Sequence, residues 1–168
     1  MDLFLAVAHQ GFQRILGCFH EAIQKGTNGF EKLHLLGLAY YQFYKEFPDT
    51  FRLLTDVRHV KSKVDFNSNR GEFTEFDNFM FREFVKIIAE GKADGSIRPD
   101  LDTTKGAYSI ALVTMGLFNM LLSTGKTFAM HFALESKELI YCTLQLLGDA
   151  FRATKAQQKI DSKLKQTL

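Results

Sequence analysis

Gly106-Ala107-Tyr108-Ser109-Ile110-Ala111-Leu112-Val113-Thr114-Met115-Gly116-Leu117-Phe118-Asn119-Met120-Leu121-Leu122-Ser123-Thr124-Gly125 runs without a charge between Lys105 and Lys126, in a chain that is 24% charged. Three readings compete for it: a membrane span, a helix buried within its own domain, or a helix covered partly by a second copy of the chain. Its length suits a span of about 20 residues. Its content does not, because Ser109, Thr114, Asn119, Ser123 and Thr124 dilute the apolar character and the flanking lysines show no one-sided basic cluster. A helix apolar nearly all round is otherwise walled in by neighbours. The stretch therefore reads as the central helix of a soluble bundle, with no membrane partner.

Its surroundings are helical too. Phe4, Val7, Ala8, Phe12, Ile15, Leu16, Phe19 and Ile23 have the spacing of one helix face, which ends at Lys25-Gly26. Asn28 with Glu31 three residues on suggests a capping box for a second helix, whose face is Leu33, Leu36, Gly37, Tyr40, Tyr41, Tyr44 and Phe47. Pro48 stops that helix and can sit in the first turn of a short third one from Asp49 to about Val57. Arg58 to Gly71 loses the pattern and reads as an exposed loop or a short turn of helix, and as mobile. Phe73, Phe76, Met80, Phe84, Ile87, Ile88 and Gly91 restore it up to Asp94-Gly95, where glycine allows a left-handed cap. Pro99 stiffens the short link that follows, and Asp102 or Thr103 is placed to cap the charge-free helix. A loop through Phe132 and a last helix carrying Leu139, Thr143, Leu146, Leu147, Ala150 and Phe151 complete the chain. The expected fold is an all-α helical bundle of about six helices, forming one domain over residues 1–168.

Seventeen Phe, 5 Tyr, no Trp and 2 Pro suit long helices packed with aromatic rings. Cys18 and Cys142 lie far apart in apolar contexts and read as small buried hydrophobes of a reducing, cytoplasmic protein. The start, Asp2-Leu3-Phe4-Leu5-Ala6-Val7-Ala8, has too short an apolar run and the wrong charge for a secretory signal. Arg152, Lys155, Lys159, Lys163 and Lys165 face one acid, Asp161, so 152–168 reads as a basic, fraying tail, and the body lacks the basic face that nucleic-acid binding demands.

Catalytic and metal patterns fail one by one. His20-Glu21-Ala22-Ile23-Gln24 has Gln24 where a metalloprotease needs its second histidine. Glu31-Lys32-Leu33-His34 has the Glu-x-x-His spacing of carboxylate-bridged bundles, but in one copy. Gly125-Lys126-Thr127 echoes the end of a phosphate-binding loop, yet Met120 replaces the required glycine. No enzyme, metal or cofactor is expected.

Ile87-Ile88-Ala89-Glu90-Gly91-Lys92-Ala93-Asp94-Gly95-Ser96-Ile97-Arg98-Pro99-Asp100-Leu101-Asp102, followed by the charge-free helix, resembles the recurrent approach to the dimerising helix in the C-terminal regulatory domain of tetracycline-repressor-like (TetR) transcriptional regulators. Tyr41-Gln42-Phe43-Tyr44-Lys45-Glu46-Phe47-Pro48-Asp49-Thr50-Phe51-Arg52-Leu53-Leu54 is similar to another of their segments. The resemblance covers nearly the whole chain. It implies a homodimer in which the last two long helices pair with their copies as a four-helix interface. It also implies a pocket for a small, often apolar effector, whose binding moves the connecting helix and lowers operator affinity, relieving repression. Such proteins begin with a three-helix DNA-binding head, and Asp2-Leu3-Phe4 matches the junction after it, so the DNA-binding domain is expected to be absent here.

For the dimer face the candidates are Gly106, Ser109, Val113 and Gly116, with Ala107, as small residues for close approach, and Leu117, Met120, Leu139, Cys142 and Leu146 as filling. For the pocket they are Phe12, Tyr40, Tyr44, Met80, Phe84, Ile87, Thr114, Met115, Phe118 and Asn119, with His9, Gln13, His34 and Tyr41 as further polar groups. Asn119 is singled out because a buried amide needs a partner. The alternatives are a helical homodimeric interaction domain without a pocket, and a carrier of hydrophobic molecules.

Overall fold

The structure is a computed structural model that describes residues 3–61 and 71–153, with side chains over 7–56 and 79–153. Six helices follow one another among the described residues: α1 Leu3–Lys25, α2 Gly29–Glu46, α3 Pro48–Lys61, α4 Gly71–Asp94, α5 Thr103–Phe132 and α6 Ser136–Phe151. The all-α expectation holds. One isolated antiparallel bridge, between Ile97 and Arg152, is the remaining regular pairing described.

α2 and α5 begin where the sequence offers a side-chain oxygen to the unpaired first-turn N–H groups. Asn28 Oδ1 accepts the Glu31 N–H at 2.9 Å, and Asp102 Oδ1 accepts that of Lys105 at 2.8 Å. The reciprocal half of the capping box is shifted by one residue. The Glu31 carboxylate takes the N–H and hydroxyl of Thr27, at 2.7 and 2.5 Å, and the Thr27 hydroxyl above all holds its pKa below the ordinary value.

Burial follows the helical period. On α1 the buried positions are Ala8, Phe12, Ile15, Phe19 and Ala22; α4 contributes Ile87 and Ile88, and α6 contributes Ile140, Leu144 and Phe151. The organising element is α2, which packs against α1, α3, α4 and α6. This corrects the expectation that the charge-free helix is central and fully enclosed. That helix, α5, packs along α4 and α6 and leaves one flank uncovered, with Leu112 68% and Met120 53% exposed. By length and composition α5 could span a membrane, and 28% of its most apolar window is buried within the chain.

Two helix ends differ from expectation. α3 starts at Pro48 and runs past Val57 to Lys61, into the segment read as loop or a short turn of helix; residues 62–70 of that segment lie outside the described residues. α5 continues past Gly125 and Lys126 to Phe132, where Ala133 takes a left-handed φ of 52°. Gly125 is there for contact, since a Cβ on it would stand 2.9 Å from Ser136 Oγ at the start of α6.

Candidate functional site

A cavity of about 560 Å³ opens between α2, α4, α5 and α6, with Phe19 of α1 at one side. α2 supplies Phe30, Leu33, His34, Leu36, Gly37 and Tyr40; α4 supplies Met80, Phe81 and Phe84. α5 adds Tyr108, Ile110, Ala111, Leu112, Thr114 and Met115, and α6 adds Leu144, Leu147 and Gly148. On α2 and α6 the contributions recur every three to four residues, which is how a helix presents a single wall, while α5 presents a broader face from Tyr108 to Met115. His34, Tyr108, Leu112 and Met115 are exposed members of that wall and mark the mouth.

The cavity follows α2 because α6 runs beside it in the opposite direction. Leu144 approaches Gly37 so closely that a Cβ there would lie 2.9 Å from Leu144 Cδ2, and Gly148 sits over Phe30. Arg152 places its guanidinium carbon 4.5 Å from the centroid of the Phe30 ring. At the other end Tyr40 separates the cavity from an aromatic cluster, meeting Phe118 edge-on at 4.9 Å and Phe51 at 5.1 Å. Tyr44 belongs to that cluster, 5.2 Å from Phe118, and burial first, then Tyr41, raises its phenol pKa against the lowering effect of Arg52.

Of the residues expected to line a pocket, Tyr40, Met80, Phe84, Thr114, Met115 and the polar candidate His34 stand together in this wall. Phe12, Ile87 and Phe118 are buried in the core instead, and Tyr44 packs on the aromatic cluster. His9, Asn119 and Tyr41 are half-buried and Gln13 is exposed, none of them in the wall; Tyr41 meets Tyr141 at 5.9 Å. The sequence reading missed the α6 wall, Phe19, Phe81, the α2 residues Phe30, Leu33, Leu36 and Gly37, and Tyr108, Ile110, Ala111 and Leu112 of α5. Gly37 and Gly148, small residues on two helices, are the signal that these helices approach closely.

The expected dimer residues divide. Ser109, Val113, Gly116, Met120, Cys142 and Leu146 are exposed on α5 and α6, Leu146 to 65%. Gly106 and Ala107 turn inward, Gly106 against Leu101, and Leu117 and Leu139 are half-buried against the core.

The link between α4 and α5 ties the cavity's helices to one another. Asp94 Oδ2 accepts the Gly29 N–H at 2.8 Å and Ser96 Oγ accepts that of Phe30 at 3.0 Å, so the α4–α5 link caps α2. Arg98 donates its N–H to the Phe151 carbonyl at 3.0 Å, and Ala153 donates to that of Ser96 at 3.2 Å. Gly95, with φ 79°, makes the required turn, which a side chain would resist. Partial burial works to raise the Asp94 pKa, but the Ser96 hydroxyl and the N–H groups of Gly29 and Ser96 outweigh it and hold the carboxyl below its ordinary value. Among the described residues no three His, Cys, Asp or Glu side chains gather as metal ligands, and Cys18 and Cys142 are both free thiols.

No protein-family model matches this sequence, and no curated protein matches it either. Solved structures do. A protein of unknown function from Rhodococcus sp. RHA1 superposes with a TM-score of 0.65 at 18% identity, over 89% of this chain and 73% of that one. A TetR family transcriptional regulator from Chloroflexus aurantiacus J-10-FL gives 0.62 at 21% identity, over 91% and 73%. The ketosteroid transcriptional regulator KstR2 of Mycobacterium tuberculosis gives 0.61 at 13% identity, over 86% and 68%. At these identities the likeness shows the fold, and the fold is one found in TetR family transcriptional regulators.

Proposed function

We propose that this chain is the effector-binding regulatory unit of a cytoplasmic, bacterial TetR-type transcriptional regulator. It dimerises through α5 and α6 and takes a small, mainly apolar molecule into the cavity, which relieves repression. The carrying observation is the cavity: about 560 Å³ with a largely hydrophobic and aromatic wall, inside the range of drug-sized ligand sites. Phe19 brings α1 into contact with the occupant, and a shift of α1 would be felt by a DNA-binding head joined ahead of it. DNA is reached through such a head, and no catalytic role is assigned.

Native mass spectrometry of the purified chain with a panel of apolar molecules, steroids among them, tests the reading. One molecule per chain is expected to bind, and a ligand at a hundred times its Kd should add about 2.7 kcal/mol of stability. Ala111→Trp, which fills the cavity from α5, is expected to abolish both effects. A folded wild-type chain that binds none of the panel would sink the proposal.

One observation favours a second reading, a helical homodimeric interaction domain or a carrier not coupled to DNA. The exposed apolar flank of α5 and α6 calls for a partner whether or not the cavity is filled. Dimerisation without any ligand would support the interaction domain; ligand binding without any effect on operator release in the headed protein would support the carrier.

A further inference from the structure

We propose that the cavity selects an elongated, uncharged molecule, such as an alcohol, ketone or ester, over a carboxylate, a phosphate ester or an amine. The inference rests on the reading of the cavity as a ligand site and adds the charge and shape of what it holds.

Shape comes from the helices. The wall follows α2 from Phe30 to Tyr40, ten residues of helix or about 15 Å. Tyr40 closes one end against the aromatic cluster, and Phe30 under Arg152 stands at the other. A slot of this length suits a chain or a row of fused rings better than a compact ligand.

Charge comes from the wall's composition. Its described residues include no Asp, Glu, Lys or Arg. Their polar side chains are the Tyr40 and Tyr108 phenols, the Thr114 hydroxyl and the His34 imidazole, which serve a neutral oxygen. His34 stands exposed at the mouth. Arg152 lies over the Phe30 ring and is not part of the wall. A carboxylate entering this slot loses its hydration, and no counter-ion among the described residues of the wall replaces it. It can enter as the neutral acid instead, but at pH 7.5 that form is disfavoured by about three pH units, roughly a thousandfold. An ammonium ion meets the converse problem, and an alcohol or ester meets neither.

The experiment uses chain-length-matched probes below their micelle concentrations: dodecanol, decyl acetate, dodecanoate and dodecylamine. Each displaces a fluorescent apolar reporter, phenylnaphthylamine, from the full chain at pH 7.5. The alcohol and the ester are expected to compete at least about a hundredfold more strongly than the acid and the amine. Dodecanoate competing within about tenfold of dodecanol overturns the charge inference and leaves the cavity reading standing. Failure of all four, with no reporter bound, overturns both. Met115→Arg places a cation at the mouth and is expected to shift the preference toward dodecanoate by about tenfold or more. An unchanged preference in a folded Met115→Arg chain also counts against the charge inference; if that variant does not fold, the wild-type series decides.

Discussion

Gly29 and Gly91 show how much can hang on a missing methyl group. A Cβ on Gly29 would lie 2.3 Å from the Cα and N of Gly91, and these backbone atoms cannot swing aside. Gly29→Ala is therefore expected to force α2 from α4 and cost about 1–3 kcal/mol or more in urea denaturation. Asp94 carries a different load, because its carboxylate caps α2 and braces Ser96. Asp94→Ala is expected to cost about 1 kcal/mol at neutral pH. The carboxyl titrates below its ordinary value in the folded chain, so the unfolded chain binds more protons through that window. Its stabilisation is complete above the unfolded pKa, near 3.8, and is lost as pH falls through the lower folded value. The gap between wild type and Asp94→Ala should accordingly be flat from pH 7 to 5 and close at lower pH; a gap that widens on acidification would contradict the assignment.

At the scale of elements, α5 and α6 carry the proposed interface. Met120→Glu combined with Leu146→Glu places charges on exposed positions, so far-UV circular dichroism should stay unchanged while light scattering at micromolar concentration falls from dimer to monomer mass. A mass unaffected by the double substitution would move the interface elsewhere. Helix starts were legible in the residues: Asn28, Pro48 and Asp102 open helices as their chemistry dictates. The end of α5 was not. Gly125-Lys126 looks like a terminator, yet Gly125 serves the approach of Ser136, a contact that no local rule contains. The same limit applies to burial on α5, where a run apolar on every side does not say which side its own chain covers.

For the whole molecule, periodicity identifies the apolar face of each helix but not how far apart two faces stand. Phe84 and Ile87 share a face of α4, and one meets the cavity while the other is 1% exposed in the core. Three of the ten expected pocket residues, Phe12, Ile87 and Phe118, are therefore core, and the α6 wall, set by how α6 crosses α2, went unseen. The proposed division of labour makes a further prediction: residues 1–168 alone are expected to produce no sequence-specific gel shift on operator DNA, and tight specific binding would refute it.

The cap on α2 is only partly local: Asn28 serves Glu31, but Asp94 and Ser96 reach Gly29 and Phe30 across 65 and 66 residues. A helix start is usually local information, available as soon as the residues are synthesised. Here it is completed after α4 has docked, so α2's first turn and the α4–α5 link form a single cooperative unit. Native-state amide exchange at Gly29, Phe30, Ile97 and Arg98 should report one shared opening free energy, and a nascent chain ending at α3 should fray at the front of the very helix around which the finished protein is packed.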